Sequence, residues 1–173
     1  MPIRRKFEDV VEMYSAEIFA YLWRLLDGKY DAEDCLQEVF LRAFKAYDRL
    51  NQDANIRAWL YKIATNTAIS FRKKRMRMES QELIVDYDLI SPEPTPDDRV
   101  ELKEQFMHLM AAVNTLPDRQ RSALMLRKYQ DCSYAEISQI LDCSQEAARA
   151  NVYQAMKKLR IKYMKEMGLQ EKI

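Results

Sequence analysis

The chain has 173 residues, of which 48% are hydrophobic and 32% are charged, and its formal net charge is only +1. It has two glycines where average usage predicts about 12, so strand-rich folds and Gly-rich phosphate-binding loops are disfavoured. One histidine and three dispersed cysteines argue against a His-based catalytic triad, a multi-His metal site and a disulfide framework. The scarcity of glycine therefore predicts an all-α protein. Because no secretory signal and no apolar run of ~18 residues is visible, we expect it in the cytoplasm.

The small net charge conceals an uneven distribution along the chain. Residues 1–78 hold 15 Lys and Arg against 11 Asp and Glu, residues 79–98 hold seven acids and no base, and residues 99–173 hold 13 bases against nine acids. Alternate prolines from position 92 to 96 favour extended backbone in the acidic stretch. We therefore predict two small helical domains, 1–78 and 99–173, joined by an acidic, proline-containing linker, 79–98.

Two amphipathic helices are predicted in the first part of the chain. The first spans residues 7–27, with Gly28 as a left-handed C-cap, and the second spans residues 31–48, with Asp31 as N-cap. The side of the second helix that is expected to face the core consists of Ala32, Cys35, Leu36, Val39, Phe40, Ala43, Phe44 and Tyr47.

The opposite side of the second helix is polar except for one leucine. It carries Asp34, Gln37 and Glu38 around Leu41. Leu41 is either an isolated exposed leucine, which is common on protein surfaces, or the anchor of a contact with a partner helix.

A third helix is predicted over residues 55–77. Its core stripe consists of Ile56, Trp59, Leu60, Ile63 and Thr67, and another face presents Lys62, Asn66, Ser70 and Lys73. Five bases stand among the six residues 72–77. These bases form either a solvated cap that the helix dipole favours or a track for a phosphate backbone. With Trp59 and Tyr61 nearby to stack on bases, the second interpretation suits single-stranded nucleic acid.

Two helices are predicted at the start of the C-terminal domain. The first covers residues 99–116 and carries a core stripe of Phe106, Leu109, Met110, Val113 and Leu116. Pro117 then begins the second helix, since proline is favoured in the first turn.

A helix-turn-helix unit follows. Ser133 and Glu136 form a capping box that opens a short helix, and after a turn Ser144 caps a longer helix that reaches about residue 166. In the longer helix Ala148, Val152, Ala155 and Leu159 are predicted to pack inward, and the outward polar face consists of Arg149, Tyr153, Gln154 and Lys157. Such a face suits base-edge contacts in a DNA groove, although short helix pairs also occur in proteins that do not bind DNA.

Taken in order, these segments resemble the extracytoplasmic-function (ECF) sigma factors of bacterial RNA polymerase. Residues 31–40, DAEDCLQEVF, are similar to the family's core-polymerase-binding motif, and residues 57–66, RAWLYKIATN, to its segment for the −10 promoter element. Residues 116–117, LP, and 133–137, SYAEI, are similar to the start of its −35-binding domain. The resemblance covers about residues 7–165.

The resemblance implies a role for each surface. The clamp helices of the polymerase β′ subunit would be bound by Asp34, Gln37, Glu38 and Leu41. The −10 element would be contacted by Asn55, Arg57, Trp59, Lys62, Asn66 and Lys73. Asn66 would line a pocket for a flipped base, and Trp59 would stand at the upstream edge of the melted DNA unless it belongs to the core. The −35 element would be read by Arg149, Tyr153, Gln154 and Lys157.

The implied partners are core RNA polymerase, through the β′ clamp helices and the β flap, promoter DNA, and an anti-sigma factor that is often membrane-bound. The resemblance implies no enzyme activity, and we expect no catalytic residue, metal, cofactor or small-molecule substrate. Two other interpretations stay open from the residues. One is a stand-alone helix-turn-helix regulator that binds DNA without polymerase, and the other is a protein-interaction module without a DNA site.

The sequence departs from the family pattern at a few positions. Ser70 stands where aspartate is usual, and Ala150 and Asn151 stand where a serine and a basic residue are usual. The loss of the base at Asn151 is expected to weaken phosphate contact and to alter the −35 sequence preference. Glu146 is expected to turn away from the phosphates.

Overall fold

The computed structural model describes residues 5–26, 28–81, 98–166 and 168. Within these ranges the secondary structure consists of seven α-helices and no strand, which confirms the all-α prediction. The helices are α1 (Phe7–Leu25), α2 (Lys29–Tyr47), α3 (Ile56–Gln81), α4 (Asp98–Asn114), α5 (Asp118–Tyr129), α6 (Tyr134–Leu141) and α7 (Gln145–Glu166). The predicted linker, 79–98, lies mostly outside the described residues; α3 extends into its beginning and α4 starts at its end.

Helices α1, α2 and α3 pack around an aromatic core in the N-terminal half. The rings of Tyr21 and Tyr61 meet edge to face with centroids 5.2 Å apart. A 2.8 Å hydrogen bond joins the Tyr21 hydroxyl to Thr65 Oγ1. Burial raises the pKa of Tyr21 above its ordinary value, so the phenol is neutral and its polar atom is satisfied by hydrogen bonding.

The C-terminal half contains the predicted helix-turn-helix unit, α6 and α7. The capping box is confirmed: Glu136 N donates to Ser133 Oγ at 3.2 Å, and Ser133 N donates to Glu136 Oε2 at 2.8 Å. Ser144 caps α7, because its Oγ accepts a hydrogen bond from Ala147 N at 3.0 Å. Side-chain caps therefore fix where both helices begin, and they set the direction of α7.

The predicted start of α2 is wrong by two residues. The helix begins at Lys29, and its N-cap is Gly28 with φ −171° and ψ 152°, an extended conformation. Gly28 is therefore not a left-handed C-cap of α1, which ends on Leu26, also in extended conformation. Asp31 does not cap α2, because its side chain forms an ion pair with Arg75 of α3.

Three side chains predicted to lie in the core are exposed. Phe44 of α2 is 60% exposed, and Phe106 and Leu109 of α4 are 54% and 44% exposed. The apolar stripe of α4 is buried only toward its C-terminal end, at Val113. Phe106 and Leu109 instead line an open groove between α4 and α7, so periodicity identified an apolar face correctly but not what covers it.

The two halves pack against each other. Helix α3 lies against α6, and α1 lies against α5. Buried side chains from both halves form one continuous hydrophobic cluster that runs from Val10 of α1 to Ala155 of α7. At its edge, the Arg24 guanidinium lies 4.6 Å from the ring centroid of Tyr129. This packing brings the polar side of α3 to the beginning and end of α6.

Candidate nucleic-acid and protein-binding surfaces

The outward side of α2 combines carboxylates with two exposed apolar side chains. Asp34 and Gln37 are exposed, Glu38 is half-buried, and Leu41 is 48% exposed. Phe44 follows Leu41 by three residues, and because residues three apart are neighbours on a helix surface, the two form one apolar patch. Phe44 was predicted to face the core and not this patch, although its spacing of three residues from Leu41 is the signal that could have placed it here. Phe44 is supported from below by Phe7, whose ring centroid lies 5.4 Å away.

Of the side chains predicted to contact the −10 element, Asn66 and Lys73 are open to solvent and Trp59 packs on the hydrophobic core. Asn66 and Lys73 are both exposed, and they lie about two turns apart on the same side of the helix. Ser70 lies between them, and its hydroxyl donates to the Asn66 backbone carbonyl at 3.0 Å. Trp59 is half-buried, packs against the core cluster and lies 6.2 Å from the ring centroid of Tyr47. This favours the core interpretation of Trp59.

The other three predicted −10 contacts, Asn55, Arg57 and Lys62, lie where α3 meets the C-terminal half. Asn55 caps α3, since its Oδ1 accepts from Ala58 N at 3.0 Å. Lys62 Nζ lies 2.7 Å from Asp142 Oδ1. Asp142 is the C-cap of α6 and has left-handed backbone, with φ 49° and ψ 57°. The three side chains thus lie beside α6, and they do not line an open groove.

Arg57 is the centre of this contact. Its Nη2 donates to Glu17 Oε2 at 3.1 Å and to the Gln130 backbone carbonyl at 2.8 Å, and its Nη1 lies 3.7 Å from Cys132 Sγ. Although burial opposes the charge, the hydrogen bond and the charge of Glu17 raise the pKa of Arg57 above its ordinary value. The guanidinium is therefore permanently charged, and it is held by acceptors from both halves.

The sequence analysis proposed Tyr61 as an aromatic that could stack on nucleic-acid bases, but the structure places it in the interior. Its side chain is fully buried, and its hydroxyl donates to Gln130 Oε1 at 2.7 Å. The same hydroxyl lies 3.2 Å from Glu17 Oε2. Burial, followed by the nearby charge of Glu17, raises the pKa of Tyr61 above its ordinary value. The physical reason for the error is that α3 is covered on two sides, whereas the sequence reveals only one apolar stripe.

The basic run at the end of α3 is partly used inside the molecule. Arg72 donates to the backbone carbonyls of Leu25 and Asn114 at 3.3 and 3.4 Å, and Arg75 pairs with Asp31 and Glu79. Lys73, Lys74 and Arg77 are exposed. The open positive surface is therefore smaller than the run of five bases suggests.

The outward side of α7 is open along its N-terminal turns. Arg149, Gln154 and Lys157 are exposed, and Tyr153 is 63% exposed, as the sequence predicts. The Arg149 guanidinium lies 5.2 Å from the ring centroid of Tyr134 on α6, a cation–π contact that restricts where the side chain points.

Asn151 and Glu146 also lie near the start of α7, but neither belongs to the predicted outward face. Asn151 is half-buried, and its Nδ2 donates to the Ala147 carbonyl at 3.0 Å. Its amide is thus bound to its own helix. Glu146 lies exposed in the first turn of α7, next to the proposed reading surface.

Two of the three cysteines are buried in the core. Burial raises the pKa of the Cys35 thiol to about 12 and that of the Cys132 thiol to about 11, so both are protonated near neutral pH and poorly nucleophilic. No group of three or more His, Cys, Asp or Glu in the described ranges could hold a metal ion. None of the described helices has the length and hydrophobicity required to cross a lipid bilayer.

Two family models match the chain in the order that the sequence analysis expected. The Sigma-70 region 2 model matches residues 10–78, and the Sigma-70 region 4 model matches residues 106–159. The first covers α1, α2 and most of α3, and the second covers the end of α4 through the helix-turn-helix unit.

Two curated relatives and one solved structure are similar to this chain over most of its length. The ECF RNA polymerase sigma factor SigE of Mycolicibacterium smegmatis is 28% identical over 155 residues, which are 89% of this chain and 60% of that relative's length. SigW of Bacillus subtilis is 28% identical over 162 residues, 89% of this chain and 87% of that protein. The sigma factor RpoE of Bartonella quintana, in a co-crystal with the anti-sigma factor NepR, matches the fold with a TM-score of 0.68 at 23% identity. That match covers 89% of this chain and 94% of RpoE.

These matches do not favour a stand-alone helix-turn-helix regulator, because they include the N-terminal half and not only the DNA-binding unit. They also agree with the three sequence motifs in order and position. The chain belongs to the sigma-70 family, and within it to the ECF sigma factors, the promoter-recognition subunits of RNA polymerase.

Proposed function

We propose that this sigma factor reads its promoter through two separate surfaces, the α3 surface and the α7 surface. The α3 surface consists of Asn55, Arg57, Lys62, Asn66 and Lys73 and binds the −10 element, while Trp59 belongs to the core beneath it. The α7 surface consists of Arg149, Tyr153, Gln154 and Lys157 and binds the −35 element. The observation that carries the proposal is the capped helix-turn-helix unit, whose second helix presents its polar side to solvent.

The α3 surface offers the chemistry that a melted strand requires. Extruding a base from the duplex costs a few kcal/mol, and contacts to the unstacked base must offset that cost. Asn66 has an amide that can donate to and accept from a base edge, and it is exposed on α3. Lys62 and Lys73, spaced along the same side, would contact phosphates on either side of that base.

The α7 surface offers the chemistry of duplex reading. Recognition helices contact base edges with residues near their N-terminus, and Arg149 and Tyr153 lie in the first turns of α7. Arginine binds guanine with two hydrogen bonds in the major groove, while Lys157, one turn beyond Tyr153, suits a phosphate. The contact of Arg149 with the Tyr134 ring holds the guanidinium near the start of the helix.

We further propose that the outward side of α2 binds the β′ clamp helices, with contacts from region 4 to the β flap. Leu41 would be the apolar anchor, extended by Phe44, and Asp34, Gln37 and Glu38 would form the polar rim. An exposed apolar pair surrounded by carboxylates is typical of an interface centre with its rim.

An anti-sigma factor is the third proposed partner. RpoE of Bartonella quintana, which has the same fold, is held in a complex with such a protein. The groove of about 670 Å³ between α4 and α7, lined by Phe106, Leu109 and Tyr163 among others, is large and apolar enough for side chains of a partner helix. We place the protein in the cytoplasm, where polymerase and promoter DNA are found.

The direct experiment is in vitro transcription with core polymerase on a library of genomic fragments. We expect defined start sites that depend on this chain. Glu38→Lys and Leu41→Glu should abolish polymerase binding in pull-down and transcription assays, whereas Glu12→Lys, an exposed charge reversal on α1, should leave both intact. If no fragment is transcribed from a defined site, and the α2 variants still bind polymerase normally, the proposed function is incorrect.

A further inference from the structure

Helix α7 carries an exposed acid beside the residues that are proposed to read the −35 element. Ser144 caps the helix and Gln145 begins it, so Glu146 is its second residue, and its side chain is exposed. The other acid within the helix is Glu166, which lies 20 residues later, about 30 Å along the axis. Between these two acids stand Arg149 and five further bases. Glu146 is thus a single negative charge at the N-terminal end of an otherwise basic helix.

Glu146 lies on the side of α7 that faces away from the core. Ala148 and Val152 are buried. With 3.6 residues per turn, positions 146, 150 and 153 fall on the opposite side of the helix, and Glu146, Ala150 and Tyr153 are all exposed. Glu146 was not predicted to belong to the outward face, yet it shares this side with Tyr153. It also stands in the first turn, where recognition helices contact base edges.

The Glu146 carboxylate is available to a ligand. It forms no hydrogen bond or ion pair with any residue that the structure describes. Helix spacing offers Arg149, three residues later, as an ion-pair partner, but the Arg149 guanidinium lies 5.2 Å from the ring centroid of Tyr134. The same ring centroid lies 4.8 Å from the Arg127 guanidinium, which donates to the Cys132 carbonyl at 3.1 Å. The acid and the base at the start of α7 are therefore kept apart, and each is open to its own partner.

An ionised carboxylate is selective for the base edge that it faces, because it accepts hydrogen bonds and donates none. In the major groove guanine presents two acceptors, adenine an acceptor beside its amino group, and thymine an acceptor and a methyl group. Cytosine presents only its N4 amino donor. Cytosine is therefore the base that Glu146 can approach without placing its charge against a lone pair of that base. The phosphates add repulsion, so a carboxylate that meets no such donor weakens binding.

We propose that Glu146 is a specificity-determining residue beside the α7 surface: its carboxylate accepts a hydrogen bond from the N4 amino group of a cytosine in the −35 element and disfavours the other three bases at that position. This inference rests on the proposed function of the α7 surface. Arg149 and Lys157 supply the attraction to DNA that a carboxylate lacks. The inference is compatible with a Glu146 side chain that turns away from the phosphates, because base edges lie on the floor of the groove between the two rows of phosphates.

A carboxylate in the first turn of a helix also interacts favourably with the helix dipole, and that role requires no base contact. The two roles differ in what one substitution changes. Loss of a dipole interaction lowers the stability of α7 and affects binding to every promoter alike. Loss of a base contact changes the preference at one position of the promoter. The experiment must therefore measure base preference and not affinity alone.

The test uses holoenzyme assembled from the full chain and core polymerase, with a promoter library in which the −35 element is randomised. The transcribed members are sequenced for wild type, Glu146→Gln and Glu146→Ala. Glu166→Gln is the matched control, because it removes the same charge from the other end of α7, where the side chain is also exposed. Circular dichroism must show unchanged helix content in all variants.

We expect wild type to select cytosine at one −35 position by about tenfold over the other bases. Glutamine binds adenine with two hydrogen bonds, through N6 and N7, so Glu146→Gln should shift the preference at that position from cytosine to adenine. Glu146→Ala should remove the preference there and leave the other positions unchanged. Glu166→Gln should select the same elements as wild type.

The inference is overturned if Glu146→Gln raises transcription from all members of the library by the same factor and leaves the selected bases unchanged, because the carboxylate would then only repel DNA. It is also wrong if wild type selects cytosine at no −35 position. In both cases the selected promoters would still support the proposed function. A library from which no member is transcribed from a defined site would instead contradict the proposed function, and this inference with it.

Discussion

The two proposed DNA-reading surfaces differ in what surrounds them. The α7 surface is open, and its side chains are held by short local contacts such as that of Arg149 with Tyr134. The α3 surface is half covered, and its side chains are held by partners 73 to 80 residues away in sequence. The surface proposed to read duplex DNA is thus open to solvent, whereas the one proposed to hold a melted strand is open only at Asn66 and Lys73. The difference teaches that local contacts position one surface and contacts between the two halves position the other.

The largest effect is expected for Asn66→Ala, which removes the amide from the open part of the α3 surface. If that amide stabilises a flipped base, transcription should fall by about a hundredfold, or ~2.7 kcal/mol, with polymerase binding unchanged. The measurement is run-off transcription together with a polymerase pull-down. Gln52→Ala, an exposed amide in the loop before α3, is the control and should retain full activity. If transcription falls equally in both variants, Asn66 contributes no more than an exposed amide outside the α3 surface.

A smaller loss is expected for Arg149→Ala on the α7 surface. Loss of one bidentate base contact costs ~1–3 kcal/mol, so promoter binding by the holoenzyme should weaken about tenfold and tolerate substitutions at one −35 position. Competition between native and substituted promoter fragments measures both effects. Arg160→Ala, exposed farther along α7, should weaken binding without relaxing specificity. If Arg149→Ala weakens all sequences equally, the residue contacts phosphate only.

The contrast between the surfaces also shows which features the sequence could predict. The helices, the capping box, the Ser144 cap and the exposure of Arg149 and Tyr153 depend on residues within a few positions of each other, and periodicity is sufficient to find them. The contact of Lys62 with Asp142 joins residues 80 positions apart, and no local pattern marks either one as a partner of the other.

The wrongly placed aromatic residues have a related cause. Tyr61 lies outside the predicted core stripe of α3, yet its ring packs against Tyr21 of α1 and its hydroxyl donates to Gln130 of the C-terminal half. Spacing within α3 marks neither of these distant partners. Phe44 has core spacing on α2 but lies at the edge, against Phe7 and solvent. Spacing shows which side of a helix is apolar, but the width of the buried part depends on the packing of other elements.

A change in stability is expected for Tyr61→Phe. The substitution removes the hydroxyl that donates to Gln130, whose side chain is 7% exposed, and leaves a buried acceptor without that donor. The free energy of unfolding should fall by ~1–3 kcal/mol, as measured by urea denaturation. Tyr163→Phe removes a hydroxyl from a 58% exposed ring and should be nearly neutral. Equal stabilities of the two variants would mean that the covered side of α3 contributes no more than open surface.

The smallest effect concerns pH. The pKa of Glu136 lies below its ordinary value, chiefly because the Ser133 backbone N–H donates to the carboxylate, with further contributions from the Ser133 side chain and the charge of Arg57. A lowered carboxyl pKa adds stability above the unfolded-state value of about 4.3, and this stability is lost as the pH falls through the folded-state pKa. Glu136→Gln keeps a capping amide but cannot titrate, so its stability should decrease less than that of wild type between about pH 5 and pH 3. If the free energies of unfolding of wild type and Glu136→Gln fall equally over this pH range, the lowered pKa of Glu136 does not contribute to stability.

The most direct test of the two-surface account is site-specific photo-crosslinking in the open promoter complex. A photoreactive amino acid replaces Asn66 in one variant and Tyr153 in another, each assembled with core polymerase on a promoter selected by transcription. The account predicts that position 66 crosslinks to the single-stranded −10 region and position 153 to the −35 duplex. If position 66 crosslinks only to duplex DNA or to protein, or if both positions crosslink to the same promoter element, the two-surface account is wrong.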